Sequence, residues 1–299
     1  MVDPTQDTVE FSQSALFADS FFAPPSDPTE LRFGAVTHEG KVRSNNEDHF
    51  AILRRRRTIE IIKSNLQPHD LSTPDDHSYA LVVADGIGGA RFGELASRVA
   101  LKTMLELTCQ ATSWVMKLTD LDAQQIRERV EAYLHRIQNT LLDCERDDPE
   151  LSGMGTTWTS AHIIPPRAVI VHLGDSRAYL IRQRRLIQIS HDETMAQALV
   201  DAGMAPEEVE NLGHVLLNHL GGGKENVTAQ IHEVEFGPGD QLLVCSDGLT
   251  DMVPESRIEQ EVHAHQDPQS ACDALLALAL EAGGRDNVTI VLASASEAK

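Results

Sequence analysis

Leu81-Val82-Val83-Ala84 runs directly into Asp85-Gly86, and Leu242-Leu243-Val244-Cys245-Ser246 runs into Asp247-Gly248. A third relative of the pattern is Val169-Ile170-Val171-His172-Leu173-Gly174-Asp175. These apolar runs are continuous rather than alternating, which is the signature of strands covered on both faces. A single Asp-Gly pair is an ordinary turn. Three covered strands that each deliver an aspartate at the carboxyl end carry more weight, because a buried strand fixes its terminal side chain. Glycine after the aspartate lets the backbone approach closely and can present its carbonyl.

Outward from these runs, strands are predicted over 32–37, 49–53, 78–84, 156–163, 168–173, 178–181, 230–235, 241–245 and 287–293. Helices are predicted over 93–109, 122–144, 194–202, 206–212, 255–263 and 268–282. In the second helix Ile126, Val130, Tyr133, Leu134, Ile137 and Leu141 recur at steps of three and four and form one apolar stripe. The last helix has Asp267 as N-cap, Pro268 in its first turn and Gly283-Gly284 just beyond its end. The reading is one mixed α/β domain from Leu31 to Ala293. Residues 1–30, with Pro4, Pro24, Pro25 and Pro28, read as a flexible tail, and 295–299 as a short C-terminal one. Between 53 and 78, Arg54-Arg55-Arg56-Arg57 and a polar stretch read as a solvated hairpin insertion.

The 299 residues include 25 basic and 46 acidic side chains, a net charge of −21. That excess argues against a dedicated nucleic-acid binder and against attraction to anionic membranes. No apolar run approaches the roughly 20 residues of a membrane helix, and the N-terminus lacks the pattern of a secretory signal. Cys109, Cys144, Cys245 and Cys272 are widely spaced and read as reduced thiols of a cytoplasmic protein, each a small core residue. None has an arginine six positions later, the spacing a cysteine-based phosphatase loop needs, which disfavours a covalent thiol mechanism.

The remaining acids of interest are Glu47 and Asp48, in Gly40-x-x-Arg43-x-x-Asn46-Glu47-Asp48, and Asp286, in Gly284-Arg285-Asp286-Asn287. If these converge with Asp85, Asp175 and Asp247, repulsion is severe: two unit charges 4 Å apart cost about 4 kcal/mol at an effective dielectric near 20. Such a cluster must hold protons or cations. Carboxylates and carbonyls are ligands for hard ions, Mg²⁺ and Mn²⁺. Zinc is disfavoured by the lack of a His-Glu-x-x-His or paired-cysteine element, and a calcium loop by the lack of an Asp-x-Asp-x-Asp-Gly run.

Six motifs stand in one order: Arg43-x-x-Asn46-Glu47-Asp48, Asp85-Gly86-Ile87-Gly88-Gly89, Met154-Gly155-Thr156-Thr157, Gly174-Asp175-Ser176-Arg177, Ser246-Asp247-Gly248-Leu249 and Gly284-Arg285-Asp286-Asn287-Val288-Thr289. Over about 33–292 the chain resembles the metal-dependent serine/threonine protein phosphatases of the type 2C family, in their bacterial form. The resemblance implies an α+β fold, a four-layer α-β-β-α sandwich with two central, mostly antiparallel sheets. It also implies two Mn²⁺ or Mg²⁺ ions, with a weaker third position. By motif position Asp85 bridges the two ions and the Gly86 carbonyl holds one, while Asp247 and Asp286 hold the other. Glu47 and Asp48 act directly or through water, and Asp175, with Asp247, matches the third position. Arg43 takes the substrate phosphate, a task suited to a guanidinium fork.

The implied reaction is hydrolysis of phosphoserine and phosphothreonine by a metal-bridging hydroxide, without a phosphoenzyme. The implied partners are phosphoprotein substrates of a serine/threonine kinase, with no nucleic acid or membrane partner, and the chain is expected to be a monomer. The alternatives are a catalytically silent regulatory module with the same fold, and a hydrolase of small phosphoesters. The chain departs from the family pattern at Ile87, where many eukaryotic relatives carry histidine, and at His191-Asp192-Glu193-Thr194, a change expected to alter a loop contact rather than the metal centre. It departs again at Leu217-Asn218-His219, within the variable flap of residues 194–223. His214 and His219 in that flap read as surface or satisfied core residues.

Overall fold

The computed structural model describes residues 29–57, 76–88, 92–110, 123–224 and 226–297, together with 60–63, 65 and 67. In chain order its first half forms β1 (Thr29–His38), β2 (His49–Arg57), β3 (Asp76–Ala84), β4 (Gly86–Ile87), α1 (Phe92–Gln110), α2 (Ala123–Asp147), β5 (Gly155–Thr156), β6 (Trp158–Ile164) and β7 (Arg167–Leu173). Then follow β8 (Arg177–Arg182), β9 (Arg185–Gln188), α3 (Met195–Asp201), α4 (Pro206–Val209), β10 (Leu220–Gly221), β11 (Gln230–Glu235) and β12 (Gln241–Cys245). The chain closes with α5 (Asp247–Thr250), α6 (Glu255–Ala264), α7 (Pro268–Glu281) and β13 (Val288–Glu297).

The continuous apolar runs are explained by the two-residue period of a strand. In β12, Leu242 and Val244 face one core while Leu243 and Cys245 face another. In β3, Leu81 and Val83 join the same inner core as Leu242, whereas Val82 and Ala84 face a third. The inner core lies between two antiparallel sheets of order β1-β13-β12-β8-β9 and β11-β7-β6-β3-β2. Outside the first sheet, Ile258 and Val262 of α6 and Ala271, Cys272 and Leu275 of α7 pack on Leu243 and Ile290. Outside the second, Ala100 and Met104 of α1 and Ile126, Leu134, Ile137 and Leu141 of α2 pack on Val82 and Val171. The result is the four-layer α-β-β-α sandwich that the resemblance implied. Asp267 caps α7, its Oδ2 accepting from Ser270 N at 3.0 Å.

Several elements differ from the sequence reading. The stretch 156–163 is two strands rather than one, broken at Thr157, whose N–H donates to the Asp85 carbonyl at 2.8 Å. β4, β9 and β10 were not predicted. A third sheet of order β10-β5-β4 exists only through its pairings, which two-residue segments cannot advertise. β2 continues through the arginine run, pairing Arg54–Arg57 with Tyr79–Asp76, so the insertion is shorter than the expected 53–78 hairpin. β2 is an edge strand, where charged side chains discourage further pairing. Cys245 and Cys272 are buried as expected, but Cys109 is exposed near the end of α1. β1 and β13 begin and end at Thr29 and Glu297, slightly beyond the expected limits, and residues 1–28 lie outside the described residues.

Candidate active site

At one end of the sandwich the inward-facing positions change from apolar to polar. Phe50 and Ile52 point inward, and the same pleat continued backward turns Asp48 inward. Leu81 and Val83 lead to Asp85, Leu242 and Val244 to Ser246, and Ala293 and Val291 to Thr289. Ser246 Oγ donates to Asp48 Oδ2 at 2.7 Å and accepts from Thr289 N at 2.9 Å. Thr37 and Thr289 share a hydrogen bond of 2.8 Å. Asp85 is held by its backbone: its N–H donates to Thr157 Oγ1 at 3.0 Å, and its carbonyl accepts from Thr156 Oγ1 at 2.8 Å.

Asp247 opens α5, whose next residue packs so tightly that a Cβ on Gly248 would lie 1.9 Å from the Asn287 carbonyl oxygen. Asn287 is buried and organises the surrounding loops. Its Nδ2 donates to the Glu39 and Asn45 carbonyls at 3.0 and 2.8 Å, and its Oδ1 accepts from Glu47 N at 2.8 Å. The Asn287 N–H donates to Asp286 Oδ1 at 2.8 Å. Asp175 sits in the turn after β7, anchored where Gly174 N donates to Glu193 Oε2 at 3.1 Å. The neighbouring Arg177 forks onto Asp192, with contacts of 2.6 to 3.0 Å.

The carboxylates feel one another strongly. Burial, then repulsion from Asp48, Asp247, Asp175 and Asp286, raises Asp85 well above the usual carboxylate range. Burial and repulsion from Asp175, Asp251, Asp286 and Asp48 do the same to Asp247. Burial pushes Asp48 up to about 6 against the hydroxyls of Ser246 and Thr289, and burial with Asp192 pushes Asp175 up to about 7. Thus Asp48, Asp85, Asp175, Asp247 and Asp286, contributed by distant stretches, lie close enough to repel one another.

Glu47 stands at the rim. Its Oε2 lies 2.4 Å from where a Cβ of Gly93 would be, at the start of α1. Gly86 abuts the same helix start, where a Cβ would come within 2.2 Å of the Gly93 carbonyl oxygen. Arg43, assigned to the substrate phosphate, donates from Nη2 to Asp286 Oδ2 at 2.6 Å with about half of its side chain, 53%, exposed.

Among the described residues, no three His, Cys, Asp or Glu side chains form a closed set around one point. Two features nevertheless fit hard cations. Asp48 Oδ1 and Asp247 Oδ1 are buried without a hydrogen-bond partner, and every donor in the cluster is an oxygen.

Four residues of the site had roles that the sequence reading missed. Asp251 stands one helical turn after Asp247 and is raised by burial, a position the i, i+4 spacing would have disclosed. Asp192 reaches the cluster's field through Asp175, so the altered His191-Asp192-Glu193 loop is not remote from it. Asn287 and Ser246 lay inside quoted motifs, but their roles as hydrogen-bond hubs depend on pairings across the two sheets. In the flap, His214 is exposed, while the His219 ring packs over Gly155 and Gly222 and burial pushes it down to about 4. The flap's end is clamped by Gln138 of α2, whose Oε1 accepts from Gly221 N at 2.8 Å and whose Nε2 donates to the Lys224 carbonyl at 2.6 Å.

Comparison with known proteins points in one direction. The family model for protein phosphatase 2C matches residues 67–280. The serine/threonine phosphatase Stp of Listeria monocytogenes is 29% identical over 86% of this chain and 92% of its own length. The serine/threonine protein phosphatase PstP of Mycobacterium tuberculosis is 32% identical over 88% of this chain and 45% of its own. Among solved structures, the catalytic domain of PstP in complex with two manganese ions superposes with a TM-score of 0.69 and 30% identity, covering 90% of this chain and 99% of that one. The phosphatase Stp1 of Staphylococcus aureus superposes with a TM-score of 0.75 and 26% identity, over 91% and 98%. Six motifs in order, the α-β-β-α sandwich and an acidic cluster between its sheets accompany these similarities, and the chain belongs to the protein phosphatase 2C family.

Proposed function

We propose that this protein hydrolyses phosphoserine and phosphothreonine in phosphoprotein substrates, with two Mn²⁺ or Mg²⁺ ions held by the acidic cluster. The observation that carries the reading is the burial of mutually repelling carboxylates with unpartnered oxygens on Asp48 and Asp247, inside a protein phosphatase 2C fold. In this reading Asp85, the Gly86 carbonyl, Asp247 and Asp286 would hold the two ions. Glu47 and Asp48 would contribute directly or through water, and Asp175 with Asp247 would provide a weaker third position.

Bound ions of this kind neutralise the cluster, polarise phosphoryl oxygens and lower the pKa of water that attacks phosphorus. Arg43, half exposed at the rim, exchanges its Asp286 contact for the substrate phosphate and orients it for in-line displacement. As the new P–O bond forms, the bond to the serine or threonine oxygen breaks, and that oxygen takes up a proton. Ile87 has no proton to give, so the donor is another group or water. The substrates are products of a serine/threonine kinase, and the protein acts as a cytoplasmic monomer. No helix among the described residues is long and apolar enough to cross a membrane.

Phosphopeptide hydrolysis with Mn²⁺, before and after EDTA, tests the proposal. Activity should vanish with chelation, and Asp85→Ala and Asp247→Ala should each reduce turnover by orders of magnitude in folded protein. Full turnover in excess EDTA, or near-normal rates in both variants, refutes it.

A further inference from the structure

The hydroxyls that line the polar end of the inter-sheet layer are joined in a chain. Thr157 Oγ1 accepts from the Asp85 N–H at 3.0 Å and shares a second hydrogen bond with Ser176 Oγ, 2.8 Å away. Ser176 follows Asp175 directly, and its carbonyl accepts from Thr159 Oγ1 at 3.1 Å. With that proton committed, Thr159 Oγ1 accepts from His172 Nδ1 at 2.9 Å, which fixes the imidazole tautomer. Thr157, Thr159, His172 and Ser176 are all buried, and His172 Nε2 meets no partner at the far end of the chain.

The chain joins two parts of the site that are otherwise carried by separate elements. Asp85 directly follows β3, while Asp175 lies in the turn between β7 and β8. Thr157 grips the first through its backbone and Ser176 is covalently next to the second. A hydrogen bond between buried hydroxyls has no water to replace it, so the two ends have one well-defined relative position.

We propose that the Thr157–Ser176 hydroxyl pair is a positioning element that couples the Asp175 carboxylate to the Asp85 carboxylate, so that a divalent cation taken up at one changes the affinity at the other. The inference rests on the metal-dependent reading above but concerns residues to which that reading gives no role. Hydrogen-bond partners behind metal ligands typically contribute 10–100-fold to affinity.

The test is calorimetric titration of the full chain with Mn²⁺, alongside its metal-free melting temperature. Thr157→Val keeps the shape and removes the hydroxyl, Ser176→Ala removes the same bond from the other side, and Thr157→Ser restores it. The first two should weaken the tight Mn²⁺ sites about tenfold, and Thr157→Ser should return them to the wild-type value. Asp175 repels Asp85 and Asp247 directly in either background, so the coupling is read as a difference. The change in tight-site affinity on Asp175→Ala should be severalfold smaller in the Thr157→Val background than in the wild type, a non-additive double-mutant cycle that mere destabilisation would not produce. Where Thr157→Val fails to fold, Ser176→Ala takes its place in the cycle. Wild-type affinity in both hydroxyl variants, or an equal effect of Asp175→Ala in both backgrounds, overturns the coupling. A wild-type chain that binds no Mn²⁺ overturns the metal reading and the coupling together, whereas normal binding with an additive cycle removes the coupling alone.

Discussion

Replacing Asp48 by asparagine should make the metal-free protein more stable at alkaline pH while weakening its hold on Mn²⁺. Asp48 is only 5% exposed, and burial pushes its carboxyl from 3.8 up to about 6. The folded state therefore binds this proton more tightly than the unfolded chain does. Stability contributed by the group is fully present below pH 3.8 and is lost as the pH rises through 6. Above that window the ionised carboxylate costs the fold about 3 kcal/mol. Asparagine keeps the shape, and its carbonyl can still accept from Ser246 Oγ, the contact seen at 2.7 Å. In urea denaturation with EDTA at pH 8, Asp48→Asn should gain up to about 3 kcal/mol, and the gain should shrink towards zero near pH 4. Added Mn²⁺ should stabilise the wild type more than the variant, because ligand linkage acts only through sites that bind. An unchanged or lower stability at pH 8, or a gain that persists at pH 4, would refute the argument.

Two further changes test the framework around the cluster. Asn287→Ala deletes three side-chain hydrogen bonds, to Glu39, Asn45 and Glu47, and should cost about 3 kcal/mol in urea denaturation; a loss below about 1 kcal/mol contradicts its role as a hub. Gly248→Ala places a methyl 1.9 Å from a backbone oxygen and must displace Asp247, so Mn²⁺ affinity should fall at least tenfold, a displaced ligand costing no less than a lost outer partner; a wild-type titration curve counts against that packing.

The strand ends were readable because a strand covered on both faces must be apolar at every position, so the first acid after the run marks where cover ends. That logic located Asp85, Asp175 and Asp247 without any knowledge of pairing. The cap at Asp267 was equally local, since a helix start is written within four residues. Other features were not local. β4, β5 and β10 are defined by who pairs with whom, and two residues carry no period. The arginine run joined β2 because β3 offered a partner strand, which outweighed the pull of four charges towards solvent. The pairing of Arg43 with Asp286, across 243 positions, could not be read from either motif alone.

The small β10-β5-β4 sheet has a mechanical consequence. Residues 155 and 156 bond on one side to the segment that follows Asp85 and on the other to the last residues of the flap. With Gln138 gripping Gly221 from α2, that end of the flap is a fixed hinge post rather than a swinging tip. Any tug on the flap is thus delivered as shear along one short ribbon, straight to Asp85.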